Sequence, residues 1–272
     1  MYWSEKEDCQ NLNIWTPSIR DGRKRPVMVW LHGGGFSAGS SIEQLAYDGE
    51  NLSRAGDVVV VSVNHRLNVL GYLDLSPFGE KYQDSANAGN LDLIAALEWI
   101  RDNIEGFGGD PENVTLFGQS GGGVKVWSLL QMPEADGLFH KGIIESGVVD
   151  PDLLGDAEDG NGREIVKAML AELGLEEKDV DQLETLPYDQ LAQAYENAAP
   201  KVAQKDEYVG NHPHKNQSYF GDAIKHGFRE ETKKIPLLIG TVLGEFDFEP
   251  AISGKYEFTR KEVEEKVSDA LG

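Results

Sequence analysis

The sequence predicts an α/β protein with a mostly parallel, doubly wound sheet, and three observations carry that prediction. Short apolar runs of strand length alternate with longer segments of helical period, the pattern of βαβ units. Two of those runs, Pro26–His32 (PVMVWLH) and Asp57–Asn64 (DVVVVSVN), are continuous and valine-rich, as strands covered on both faces are. Finally, 272 residues with 40% hydrophobic side chains are enough to bury one large core.

Taken in order, the first two runs are the central strands. Asn90–Ile104 follows as an amphipathic helix, because Leu93, Ile94, Leu97, Ile100 and Ile104 recur at helical spacing. The turn FGGDPEN stops it. Asn113–Gly118 is the next strand, Gly121–Met132 a helix, and Lys141–Ser146 a further strand. Between 161 and 199 the pattern gives amphipathic helices over Ile165–Leu173, Val180–Leu186 and Asp189–Ala198, broken at Pro187. Helices inserted between strands suit a cap over a pocket. Residues 200–222 read as polar and irregular, Pro236–Thr241 as a strand and Arg260–Leu271 as a charged helix. The organisation expected is a single domain over 1–272, with 150–230 as a helical cap-like insertion.

Composition removes several function classes. Asp and Glu total 47 against 25 Lys and Arg, for a formal net charge of −22, so the surface repels phosphate backbones and anionic headgroups. Neither nucleic acid nor membrane is expected as a partner. A single cysteine, Cys9, makes no internal disulfide and reads as a free, packed thiol. No Cys/His cluster has zinc spacing, and His212 and His214, two apart in a polar loop, read as solvated side chains. No metal and no organic cofactor is expected. Without a leader pattern or a long apolar run in the sequence as given, the expected location is cytoplasmic.

Two motifs carry chemistry. Gly118-Gln119-Ser120-Gly121-Gly122 fits G-x-S-x-G between an expected strand and an expected helix, the context that gives the pattern meaning. A serine at such a tip sits in strained backbone, and small residues two before and two after let strand and helix pass closely. Its Oγ then meets the helix N-terminus, where free N–H groups favour negative charge. The bare pattern is also compatible with a glycine-rich turn carrying a bystander serine. The second motif, His32-Gly33-Gly34-Gly35-Phe36, directly follows a strand and can offer backbone N–H donors to an oxyanion. A phosphate-cradling loop is disfavoured, because no G-x-G-x-x-G precedes a helix and no lysine stands where a phosphate needs one.

Several long segments resemble the type B carboxylesterases, a family that also includes the cholinesterases and the non-catalytic neuroligins. They are Glu7–Pro17 (EDCQNLNIWTP), Pro26–Phe36, Val61–Leu73 (VSVNHRLNVLGYL), Ile94–Gly123, Lys141–Gly147 and Ile235–Phe246, with 150–230 matching loosely. The resemblance implies an α/β-hydrolase fold with helical insertions over the C-terminal edge of the sheet. It implies ester hydrolysis with Ser120 as nucleophile and Glu245 as triad acid, with the N–H groups of Gly34, Gly35 and Gly121 as the oxyanion hole. A small-molecule ester is the implied substrate, and a catalytically inactive binding or adhesion module is the alternative. The sequence departs from the family at Gln119, usually Glu, and at Gly121, usually Ala. Loss of the carboxylate disfavours cationic substrates, and Phe36, Phe246 and Phe248 suggest an apolar pocket. Ser146 resembles a family serine near the acid, or simply caps its turn.

In such hydrolases the triad runs Ser, Asp or Glu, then His. No histidine follows Glu245; all six, His32, His65, His140, His212, His214 and His226, precede it. The expectation is an internal fragment or one chain of a split enzyme, inactive alone, with the base supplied by a missing segment or second chain. An intact degenerate relative using His212 or His214 is the other possibility.

Overall fold

The structure, a computed structural model, describes residues 6–19, 21–148, 160–205, 207–210, 212–245 and 259–262. It divides into two units, Met1–Gly240 and Thr241–Gly272.

The first unit holds a six-stranded sheet of β1 (Asn11–Trp15), β2 (Arg25–Leu31), β3 (Val59–Asn64), β4 (Gly109–Gln119), β5 (Lys141–Glu145) and β6 (Leu237–Gly240), in the order β1-β3-β2-β4-β5-β6. Only β1 is antiparallel to its neighbour, β3. That strand was not expected from the sequence, because N-L-N-I-W alternates polar and apolar residues too briefly to stand out. The valine runs behave as central strands should: Val27, Val29, Val59 and Val61 are wholly buried, and parallel pairing aligns Val27 with Val59 and Val29 with Val61.

α3 (Ala88–Asn103) packs beneath the sheet through Leu93, Ile94, Leu97 and Ile100, and Ile104 follows in a short 3-10 turn. β4 starts earlier than Asn113: Arg25 pairs with Gly109, and the register then slips so that Val27 meets Val114. The slip absorbs Pro111, whose lack of an N–H bars it from an unbroken ladder. α4 (Gly121–Leu129) stops short of Met132, where Gln131 and Met132 close tighter i→i+3 turns onto Ser128 and Leu129.

A second apolar cluster joins α5 (Arg163–Glu172), the 3-10 segment Glu177–Glu184 and α6 (Tyr188–Ala203) to Val69 and Leu73 of the α2 region (Asn68–Tyr72). α6 runs past Ala198 into the stretch expected to be irregular, with Pro200 inside its last turns. Ala198 and Val202, both buried on that cluster, hold the helix together around the missing N–H donor. In the second unit the start of the expected Arg260–Leu271 helix is capped: Thr259 N–H and Oγ1 both donate to Glu262, and Glu262 N–H lies 3.4 Å from Thr259 Oγ1. Residues 263–271 of that helix lie outside the described residues, as do Phe246 and Phe248. Among the described residues no helix is long and apolar enough to cross a membrane.

Candidate active site

β4 carries the chain to Gln119 at the C-terminal edge of the sheet, and α4 begins at Gly121, so Ser120 is the single residue that reverses direction. Its backbone has φ 54° and ψ −126°, a conformation L side chains rarely adopt. The strain is held from both sides. Ser120 N–H donates to Glu145 O on β5 at 2.8 Å, and Ser120 O accepts from Val124 N–H at 3.0 Å in the first turn of α4.

The flanking glycines are a matter of space. A Cβ on Gly118 would lie 2.5 Å from Gly122 C, and one on Gly122 would lie 2.0 Å from Leu31 O at the end of β2. β2, β4 and α4 therefore meet backbone against backbone at the elbow.

His32 leaves β2 and opens the glycine loop, where Gly34 (φ 89°) and Gly35 (φ 62°) take left-handed conformations. Ser37 and Ala38 N–H groups close the turn onto Gly34 O. The loop lies against the elbow: a Cβ on Gly33 would come 3.1 Å from Gln119 O and 3.7 Å from Ser120 Cβ. One on Gly121 would come 2.3 Å from Gly35 N. The two motifs, 85 residues apart in sequence, thus form one surface, with Gly34, Gly35 and Gln119 exposed and Ser120 half-buried. Phe36 packs its ring 4.8 Å from Tyr72.

Glu245 belongs to the second unit, where its carboxylate accepts from Val242 N–H at 2.9 Å. Ser146, just past β5, has φ 52° and donates its N–H to Gly240 O at 2.7 Å. The histidines are engaged elsewhere. His32 and His65 are buried, each with Nδ1 2.8 Å from a backbone carbonyl, of Gly33 and Arg66 respectively. Burial, reinforced by Lys125, pushes the His32 imidazole down to about 3, and His65 is lowered well below its usual value for the same reasons. His140 accepts from Val114 N–H at 3.1 Å. His212 and His214 pack on the Tyr208 ring, with centroids 5.4 and 5.0 Å away, and Asn87 bonds the backbone of His214. His226 lies beside Lys215. Among the described residues none of the six makes a hydrogen bond to Ser120 Oγ.

One residue of this neighbourhood escaped sequence reasoning. Lys125 lies in the second turn of α4, wholly buried, and its Nζ donates to His32 O at 2.8 Å. The available signal was a lysine inside the apolar run V-K-V-W directly after the elbow.

A mostly parallel sheet, a strained serine between strand and helix and a glycine loop packed against it define an α/β-hydrolase. The carboxylesterase family model matches residues 2–271, and the chain belongs to that family. Para-nitrobenzyl esterase of Bacillus subtilis (strain 168) is 40% identical over 251 residues, covering 89% of this chain and 48% of the relative. Carboxylesterase 3B of Mus musculus is 49% identical over 151 residues, 55% of this chain and 25% of its own. Among solved structures, an esterase from Clostridium hathewayi described as able to hydrolyse aliphatic aromatic polyesters superposes with a TM-score of 0.89 at 54% identity, covering 99% of this chain and 53% of that one. A PNB esterase structure gives 0.73 at 36% identity, covering 98% and 54%. The chain thus spans about half the length of the relatives that it matches along most of its own length.

Proposed function

We propose that this chain carries the nucleophile and oxyanion machinery of a carboxylic ester hydrolase that works through an acyl-enzyme. The observation that carries the reading is Ser120, a non-glycine residue at φ 54° on the strand-to-helix turn, with the Gly33–Gly35 loop against it. Such strain persists only where the surroundings enforce it, and here it holds a serine at the start of α4.

In the proposed reaction an imidazole takes the Ser120 proton and Oγ attacks the ester carbonyl. The N–H groups of Gly34, Gly35 and Gly121 hold the oxyanion. The alcohol leaves with the proton, and water repeats the sequence on the acyl-enzyme to release the acid. Glu245 is proposed as the acid that orients the imidazole. The imidazole itself is assigned to residues outside this chain, because the engagements of all six histidines leave none bonded to Ser120. In this reading residues 1–272 form one catalytic domain with 150–230 as its helical cap.

For substrate we propose uncharged esters with short acyl chains. Gln119 leaves the elbow without the carboxylate that would attract a cationic alcohol, and Phe36 offers an apolar wall. The polyester chemistry described for the Clostridium hathewayi relative extends the proposal to small aliphatic-aromatic diesters.

The test is reaction with a fluorophosphonate probe, read by intact mass and peptide mapping. Stoichiometric modification at Ser120, lost in Ser120→Ala, supports the enzyme. With the imidazole-bearing residues present, a folded protein that never labels is instead an inactive binding module.

A further inference from the structure

Lysine is almost never fully buried without a partner, because taking an ammonium out of water is expensive. Lys125 is wholly buried. Among the described residues it has no carboxylate within ion-pair distance, and its one hydrogen bond goes to His32 O. If the position only had to fill space, a leucine or methionine would do so with no charge to desolvate.

Its surroundings show what the ammonium touches. From the end of β2 comes His32, whose carbonyl accepts the bond and whose ring stacks on His65 at 5.4 Å. His65 follows β3, with Tyr72 of α2 edge-on to it at 6.4 Å. Phe36 lies over Nζ at 5.9 Å, and Glu43, in the loop before α1 (Glu50–Gly56), is the acidic group whose charge reaches Lys125. Both imidazoles bond carbonyl oxygens through Nδ1, and a carbonyl can only accept, so Nδ1 carries the proton and Nε2 presents a lone pair. Both Nε2 atoms are buried and have no hydrogen-bond partner. The ammonium therefore sits among neutral acceptors, with no anion paired to it among the described residues and only the more distant charge of Glu43 acting on it.

Its hydrogen bond also spans the two halves of the candidate site. Lys125 rides on the helix that begins at Ser120, and His32 O belongs to the peptide that roots the glycine loop. We propose that Lys125 is a positioning residue for ester hydrolysis: it ties the glycine loop to the helix of the nucleophile and stations a positive charge behind the oxyanion donors. The proposal rests on the reading of Ser120 and the loop given above. Because Lys125 itself is enclosed by protein, its charge is screened less than a surface cation's, so negative charge growing on the substrate oxygen is stabilised by a cation behind the amides that bind it.

Lys125→Met removes charge and donor in a similar shape, and Lys125→Gln keeps a donor without charge. Each is prepared from the native source together with whatever residues supply the imidazole, checked for folding by thermal melting, and assayed for fluorophosphonate labelling of Ser120 and for p-nitrophenyl acetate turnover from pH 6 to 9. Burial holds the ammonium down to about 7, whereas His32 and His65 stay neutral throughout this range. The charge is therefore present at the acid end and lost toward pH 9, while the ionisation of the catalytic base is common to all three proteins.

The expected result is a kcat lowered by about tenfold or more in both variants at pH 6.5, with KM within about twofold. The ratio of wild type to variant should shrink toward pH 9. A ratio constant across pH, or a Lys125→Met rate within about twofold of wild type, overturns the proposal by reducing Lys125 to a packing residue. Wild-type behaviour in Lys125→Gln overturns the role of the charge. If wild type itself never labels, the Ser120 reading has failed and this proposal falls with it, a result distinct from labelling that ignores Lys125.

Discussion

Replacing Gly122 by alanine tests whether the elbow is held by backbone contact. The added Cβ would lie 2.0 Å from Leu31 O, 2.9 Å from Leu31 C and 3.1 Å from His32 C. An ordinary contact needs well over 3 Å, so α4 and the end of β2 must separate by more than 1 Å. Neither can yield locally. Leu31 is held in register with Gly118 of β4 and Val63 of β3, and Gly122 is in the first turn of a helix whose Val126 and Leu129 are wholly buried. Overpacking typically costs about 1–3 kcal/mol, and the backbone separation required here raises that to about 3–5 kcal/mol, against roughly 1 kcal/mol regained from helix propensity. The net expectation is a loss of about 2–4 kcal/mol. At roughly 2–4 °C per kcal/mol for a domain of this size, the melting temperature falls by about 5–15 °C. The same shift moves the root of the glycine loop, so fluorophosphonate labelling of Ser120 should slow by about 100-fold. Melting by circular dichroism and labelling by intact mass read both effects. A stability loss under about 1 kcal/mol with undiminished labelling would refute the argument that close backbone approach builds the site.

Four further outcomes follow. Lys125 is held down to about 7 from its usual 10.5, so the unfolded chain binds the extra proton between those values and wild-type stability falls as pH drops from 10.5 to 7. Lys125→Met removes that slope, and in urea titrations its advantage over wild type should be about 2–3 kcal/mol larger at pH 6 than at pH 9; an advantage independent of pH contradicts the buried charge. His32, lowered to about 3 from 6.5, acts in the acid range: the neutral ring must charge on unfolding, so stability is lost as pH falls from 6.5 toward 3, and His32→Asn should flatten that limb of the denaturation curve. Asp92 is buried and accepts from Arg66 N–H, Nε and Nη2 and from Gln10 Nε2, which ties the segment after β3 and the approach to β1 onto α3. Asp92→Ala should cost about 3 kcal/mol by chemical denaturation, and a change below 1 kcal/mol would show that those bonds add nothing. For specificity, a panel of p-nitrophenyl esters should favour short uncharged acyl groups, and a preference for long chains or cationic alcohols would reject the substrate proposal.

Periodicity and composition set the scaffold. Continuous valine runs need cover on both faces, and that requirement alone separates β2 and β3 from surface strands; the i, i+3, i+4 recurrence of Leu93, Ile94, Leu97 and Ile100 likewise specifies α3. The G-x-S-x-G and His-Gly-Gly-Gly patterns were legible because each glycine answers a local steric demand that few other sequences meet. β1 was not, since its alternating five residues gain order only from pairing with β3, and α6 continued through Pro200 because tertiary burial of Ala198 and Val202 outweighs one lost hydrogen bond. Lys125 left only a faint trace, its place in the apolar run V-K-V-W: such a lysine reads as a surface residue until a long-range contact, 93 residues away at His32, buries it. What the sequence determined by itself are features whose cause lies within a few residues, namely strand, helix and turn. What only the tertiary structure decided are those whose cause is a neighbour distant in the chain: the backbone contact that brings Gly35 to Gly121, and the charge enclosed behind them.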